Sequence, residues 1–226
     1  MSKDKAGKSR AEVLEFIVVI MLGITAIATA WSSWQGSLHG SQMAQKYTRS
    51  NNIASEGNSE YNAGIQTLTQ DMMLYNEINS LMIDLHFAES NGDSNEAEKL
   101  EWKIDELVSG NMSEELAVAF QWAMDEAIAR NESVSPFEME GFVDTYFEIA
   151  NELLAESAEM LDAGNANNTH GDNQGLVSVI YAVVLFMLGI SSSFKGLREK
   201  CVLLAVSGLG FIGATAFMFT IPIVMP

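Results

Sequence analysis

The chain has 226 residues with 12 Lys plus Arg against 30 Asp plus Glu, a net charge of -18, yet 48% of its residues are apolar. So many charges would pull the mean hydropathy below zero unless the apolar residues were gathered elsewhere, and the mean is positive. The acidic balance argues against nucleic acid as a partner, because phosphate binding needs clustered Lys and Arg. The single Cys excludes a disulfide framework within one chain.

Residues 1–15 form a short tail with Lys3, Lys5, Lys8 and Arg10. Residues 16–34 follow, 19 positions without a charge, which matches the ~20 residues that an α-helix needs to cross a hydrocarbon core. A secretory signal is the competing reading, and Ala28-Thr29-Ala30 has the small-x-small form of a cleavage site. The run exceeds the usual apolar core of about 7–15 residues. It also ends in Trp31 and Trp34, an aromatic pair suited to anchoring a helix at the membrane interface. These features favour an uncleaved signal-anchor. Thr25, Thr29, Ser32, Gly36 and Gly40 lie along one side of this helix, a face for close helix packing or, in an assembly, the lining of a narrow polar pathway.

Residues 35–175 read as a helical domain. Residues 35–58 are rich in Ser, Gly, Gln and Asn, suggesting a frayed stretch or one packed by small residues. Tyr61, Ile65, Leu68, Met72, Tyr75 and Met82 then follow alternating four and three spacing, broken once by Asn79, and predict a seam on a long helix continuing from the first span. Ser90-Asn91-Gly92-Asp93 predicts a turn. A second helix is expected over 96–108 with Leu100, Ile104 and Leu107 on one face, broken by Ser109-Gly110-Asn111. Ser113 is the expected N-cap of a third helix with Leu116, Phe120, Ala123 and Ala127 facing inward. Ser135-Pro136-Phe137-Glu138 has the cap residue, first-turn proline and third-position glutamate of a capping box. It predicts a fourth helix carrying Phe142, Tyr146, Ile149, Leu153 and Met160, interrupted by Ser157, before the polar residues 164–175.

Residues 176–194 and 201–221 are two further apolar runs, joined by the basic turn 195–200 and followed by the tail 222–226. Gly210 and Ala214 repeat the small-residue spacing in the last run. The tail 1–15 and the turn 195–200 have net charges of +1 and +2, whereas residues 35–175 carry five basic and 26 acidic side chains, net -21. The positive-inside bias places both basic segments in the cytoplasm, and residues 35–175 and the C-terminus outside. The expected fold is an all-α integral membrane protein of the cell membrane, with a helical extracytoplasmic domain between spans one and two.

Motifs for chemistry are absent. His39, His86 and His170 belong to no zinc or di-iron spacing and read as surface residues. No phosphate loop or nucleophile elbow occurs. The chain therefore reads as no enzyme, with no cofactor and no metal. Asp144, Glu148, Glu152, Glu156 and Glu159 share one helical face, either a solvated surface or one that concentrates cations. Asn111, Asn131 and Asn167 begin glycosylation sequons on the outer side.

Ala28-Thr29-Ala30-Trp31-Ser32-Ser33-Trp34-Gln35 with Gln42, and Gly171-Asp172-Asn173-Gln174 leading into Leu185-Phe186-Met187-Leu188-Gly189-Ile190-Ser191, resemble a family of uncharacterised prokaryotic three-span membrane proteins, a domain of unknown function. The resemblance covers the ends better than the acidic, Asn-rich middle. It implies one N-terminal span, a helical middle and two C-terminal spans, and brings no activity or catalytic residue. Two functions follow from the whole: a protein that self-associates in the bilayer as a homo-oligomer, around an ion or solute pathway, or an extracytoplasmic sensor or binding module acting through a partner protein.

Overall fold

A computed structural model describes residues 2–194 and 196–225, with the backbone alone over residues 2–11. The side chains of Lys3, Lys5, Lys8 and Arg10, and the turn residue Lys195, lie outside the described residues. Among the described residues every regular element is helical: α1 (Ser2–Asn91), α2 (Ser94–Asn111), α3 (Glu114–Arg130), a 3-10 turn (Pro136–Glu138), α4 (Phe142–Thr145), α5 (Glu148–Ser191) and α6 (Leu197–Met218). Helices α1, α5 and α6 are long and apolar enough to cross a membrane.

Local chemistry sets the boundaries. Gly92 takes φ +72, which ends α1, and the Asp93 carboxylate then accepts the Glu96 N–H at 3.2 Å to open α2. Helix α2 runs through Ser109-Gly110-Asn111, the expected break, and stops one residue later because Met112 is extended. Gly110 has no positive φ, so it continues the helix despite its poor propensity. Ser113 caps α3 by accepting the Leu116 N–H at 3.0 Å, and Asn131 closes that helix in the left-handed region. The capping box at Ser135 forms as the sequence suggests. It opens a single 3-10 turn rather than a long helix, because Met139 returns to extended backbone and Gly141 takes φ +76. The expected fourth helix is consequently divided between α4 and α5, with Tyr146 and Phe147 between them.

The chain forms two compact units, residues 1–49 with 159–226, and residues 50–158. In the first, Val18, Val184 and Leu188 form one buried cluster, and Val177, Tyr181, Ala214 and Ile221 another. Buried positions on α1 fall seven apart at Val18, Thr25, Ser32 and His39, and on α5 at Asn167, Gln174, Tyr181 and Leu188. That spacing is the seam of helices packed side by side along their lengths. Large apolar side chains point outward instead, among them Phe16, Ile27, Val179, Phe186, Leu209 and Ile212.

In the second unit, Leu116, Ala119, Phe142 and Tyr146 make the core, with Leu68, Leu74, Met112, Phe137, Met139 and Phe147 packed against it. Along α1 the buried positions Ser50, Gly57, Gly64, Asp71 and Ile78 again fall seven apart, with Ala88 buried further on. The expected seam therefore sits on a neighbouring face: Leu68 and Tyr75 are half-buried, while Tyr61, Ile65, Met72 and Met82 are exposed. Small residues occupy the true seam because the neighbouring backbone comes close there. A Cβ at Gly64 would lie 2.2 Å from the Tyr146 carbonyl oxygen. Ser50 and Ser157 exchange hydrogen bonds at the same kind of approach, each hydroxyl reaching the other's carbonyl, at 2.8 and 2.9 Å. Ser157, read from sequence as an interruption, is thus a seam residue, and Ile149 is exposed while Ala150 is buried.

Candidate functional site

The small-residue face of α1 is engaged by α5 within the first unit. Ser32 Oγ, fully buried, lies 2.8 Å from both the carbonyl and the side-chain oxygen of Gln174. Gly36 lies against Gln174 and Gly171, with space for a methyl group at ordinary contact distance, and Gly40 meets nothing within 4 Å. Thr29 returns its hydroxyl to the Thr25 carbonyl at 2.7 Å. The hydroxyls of Thr25 and Ser207 are buried with no hydrogen-bond partner. Gly210 approaches Val184, and Ala214 packs in the Tyr181 cluster, so this second small pair also serves contact inside the chain. Trp31 and Trp34 are partly exposed and meet edge to face at 5.1 Å.

His39 is buried, contrary to its reading as a surface residue, because two groups acquire it as a partner. Its Nδ1 lies 3.2 Å from Asn167 Oδ1, and its Nε2 lies 3.0 Å from the Pro222 carbonyl. The Asn167 amide is committed to the Ala163 carbonyl at 3.0 Å, so both ring nitrogens face acceptors. The His170 ring stands 5.3 Å away. Gln35, one turn earlier, holds the chain end by accepting the Val224 N–H at 2.9 Å and donating to the Val224 carbonyl at 3.1 Å. Hydropathy cannot reveal such a network, since its members look like ordinary surface residues in a one-dimensional pattern. Asn167, one of the three sequon residues, is buried here, whereas Asn111 and Asn131 are exposed.

In the second unit, a buried carboxylate organises the core. Asp71 accepts from the Ser113 hydroxyl, from the Ser113 N–H at 3.4 Å and from the Tyr146 hydroxyl at 2.7 Å. The cap of α3 thus carries a carboxylate beside it, where the positive end of the helix dipole favours negative charge. Burial pushes the Tyr146 hydroxyl well above the usual tyrosine range, and its hydrogen bond to Asp71 adds to the shift. Asp71 was not legible as a site residue.

The acidic face is less continuous than its spacing suggests, because Asp144 belongs to α4 and Glu148, Glu152, Glu156 and Glu159 to α5. Among the described residues no three His, Cys, Asp or Glu side chains gather in a way that could hold a metal ion.

The second unit also contains an open cavity of about 440 Å³. Val108, Phe120, Ala123, Met124 and Val134 supply apolar walls, and Tyr75, Asn79, Asp105 and Ser133 supply polar groups. A pocket of this size, mostly apolar with a few convergent polar groups, has the general form of a small-molecule site. Comparison with family models, curated proteins and solved structures finds no match for this chain.

Proposed function

We propose that this chain is an integral protein of the cell membrane, with its N-terminus in the cytoplasm and its acidic helical domain outside, and that its work is non-enzymatic binding by that domain. Membrane insertion is supported by three long apolar helices whose largest apolar side chains point outward while Ser32, His39 and Gln174 are buried between them. That arrangement suits a lipid surround. Orientation is supported by the basic tail and turn and by the net charge of -21 over residues 35–175. The likeness of residues 28–35 and 171–191 to the three-span family implies the same architecture. Trp31 and Trp34 are the proposed interfacial anchors.

The cavity of the second unit carries the binding reading. With Cys201→Ser as background, single cysteines at Glu126 and Lys8 test the topology: in intact cells the first is labelled and the second protected. Binding is tested on the full chain in lipid nanodiscs with ¹³C-methyl methionine. The neutral probe 4-phenylbutanol shifts the Met82 and Met124 methyl resonances saturably, and absence of such a shift with this probe and with charged analogues of it removes the reading.

A second reading, self-association, is favoured by exposed apolar side chains in the second unit, including Met73, Ile83, Phe87, Trp102, Val118 and Ile128. Monodisperse oligomers in detergent support it and a strict monomer removes it. A pathway lined by Thr25, Thr29 and Ser32 loses support, because Ser32 is spent on Gln174 and Thr29 on its own helix.

A further inference from the structure

We infer that the cavity of the second unit takes an amphiphilic organic cation, an apolar body with an ammonium head, whose charge is received by Asp105. The inference rests on the binding reading above and names its ligand class. Four features of the site point the same way.

The first is size. The cavity of about 440 Å³ falls within the ~300–1,000 Å³ range of small-molecule sites. The second is composition. Val108, Ala123, Met124 and Val134 offer an apolar contact surface, and Phe120 and Tyr75 add two aromatic rings, which attract cations through their faces. Methionines at the wall, Met82 and Met124, adapt to ligands of differing shape.

The third is unspent polar capacity. Asp105 is the only charged side chain in the lining, and neither Lys nor Arg is among the residues that form it. Among the described residues its carboxylate has no ion pair or hydrogen bond; those few that form in the second unit's exterior are local, Lys99 with Glu96 and Arg130 with Glu126. Among the described residues the Tyr75 hydroxyl, the Asn79 amide and the Ser133 hydroxyl likewise make no hydrogen bond. Asn79, Asp105 and Ser133 are exposed and Tyr75 is half-buried, so these polar groups at the open hollow are accessible to a ligand carrying a donor.

The fourth is field. Residues 50–158 carry 23 acidic side chains against Lys99, Lys103 and Arg130, net -20. Such a surface repels anions and raises the local concentration of cations. A carboxylate or phosphate ligand would have to enter against that field and find no basic side chain in the lining.

The test uses the full chain in nanodiscs of zwitterionic lipid, with three probes of similar apolar body: 4-phenylbutyltrimethylammonium, neutral 4-phenylbutanol and 4-phenylbutanesulfonate. Met82 and Met124 methyl shifts report the cavity, and Met187 and Met218, half-buried in α5 and α6, report probe entering the first unit. The cation shifts the cavity methionines at the lowest concentration, leaves Met187 and Met218 unmoved and binds more weakly as salt is raised. Asp105→Asn, at an exposed position, weakens the cation about fivefold, the size expected of a partly exposed ion pair, and leaves the neutral probe unchanged. If the neutral probe binds and the cation does no better, or if Asp105→Asn leaves the cation unaffected, the ligand class is wrong while binding stands. Tighter binding of the sulfonate overturns it as well. If no probe moves Met82 or Met124, the binding reading fails together with the inference.

Discussion

The two compact units differ in how much polar surface they bury. In residues 1–49 with 159–226, Thr25, Ser32, Gln35, His39, Asn167 and Gln174 are buried, while Phe16, Ile27, Phe186 and Leu209 lie outside. In residues 50–158, the interior is Ile78, Leu116, Phe142 and Tyr146, and the charge is outside, Asp71 excepted. Helix and seven-residue seam are common to both. On the membrane reading proposed above, the difference follows from the solvent around each exterior, hydrocarbon for one and water for the other. A core in water is held by expelled apolar surface, at roughly 25 cal/mol per Å². Helices in lipid lack that force and are held by close packing and polar contacts.

Asp71→Ala should produce the largest loss, because it removes the carboxylate that joins Ser113 and Tyr146 in a buried cluster. Hydrogen bonds to a charged group contribute about 1.5–3 kcal/mol, and removal also strands the Tyr146 hydroxyl, so a loss on the order of 3 kcal/mol is expected. Hydrogen exchange of the full chain should show the amides of α3 losing protection first, since Ser113 caps that helix. Undiminished protection there would mean that Asp71 is not what holds the cap. Gly64→Ala follows, at about 2 kcal/mol, because the added methyl meets the Tyr146 backbone oxygen and not a side chain that can turn away. Gly92→Ala would be a poor control, since its φ of +72 strains any side chain.

These two residues also show where the sequence was opaque. The apolar runs, the turn at Gly92, the cap at Ser113 and the box at Ser135 were legible because each is a local rule acting on a few neighbours. The seam was misplaced because periodicity was sought in large apolar residues, and the closest approach selects small ones, Ser50, Gly57 and Gly64, that hydropathy scores as neutral. Asp71 fell on that same spacing and looked like one more acid among thirty. His39 and Asn167 are 128 positions apart, and no local pattern connects them. The cavity's walls come from α1, α2, α3 and the segment around Val134, and a hollow shared by four segments has no signature in any one of them.

Tyr146→Phe should cost about 1.5 kcal/mol at neutral pH, through the lost bond to Asp71. Its pH dependence sharpens the point. The tyrosine hydroxyl is raised in the fold, so the neutral form is favoured there; its contribution is complete below the unfolded value of about 10 and is lost as pH climbs from there toward the folded value. Above pH 10 the wild-type helical signal should therefore decline with pH more steeply than that of Tyr146→Phe. Parallel declines would show that the hydroxyl is not the group being titrated.

Ser32→Ala deletes a buried hydroxyl too, yet the expected loss is smaller, under about 1 kcal/mol. In hydrocarbon the separated helices satisfy their own backbones, and a serine there bonds within its helix, so the folded bundle gains little over that reference. An alanine methyl also fills part of the space beside Gln174. The ratio between Asp71→Ala and Ser32→Ala, measured in one chain under one condition, thus reports the surroundings of the two units. A loss at Ser32 equal to that at Asp71 would mean that water competes for the separated α1 and α5 surfaces, and it would remove the membrane reading of the first unit.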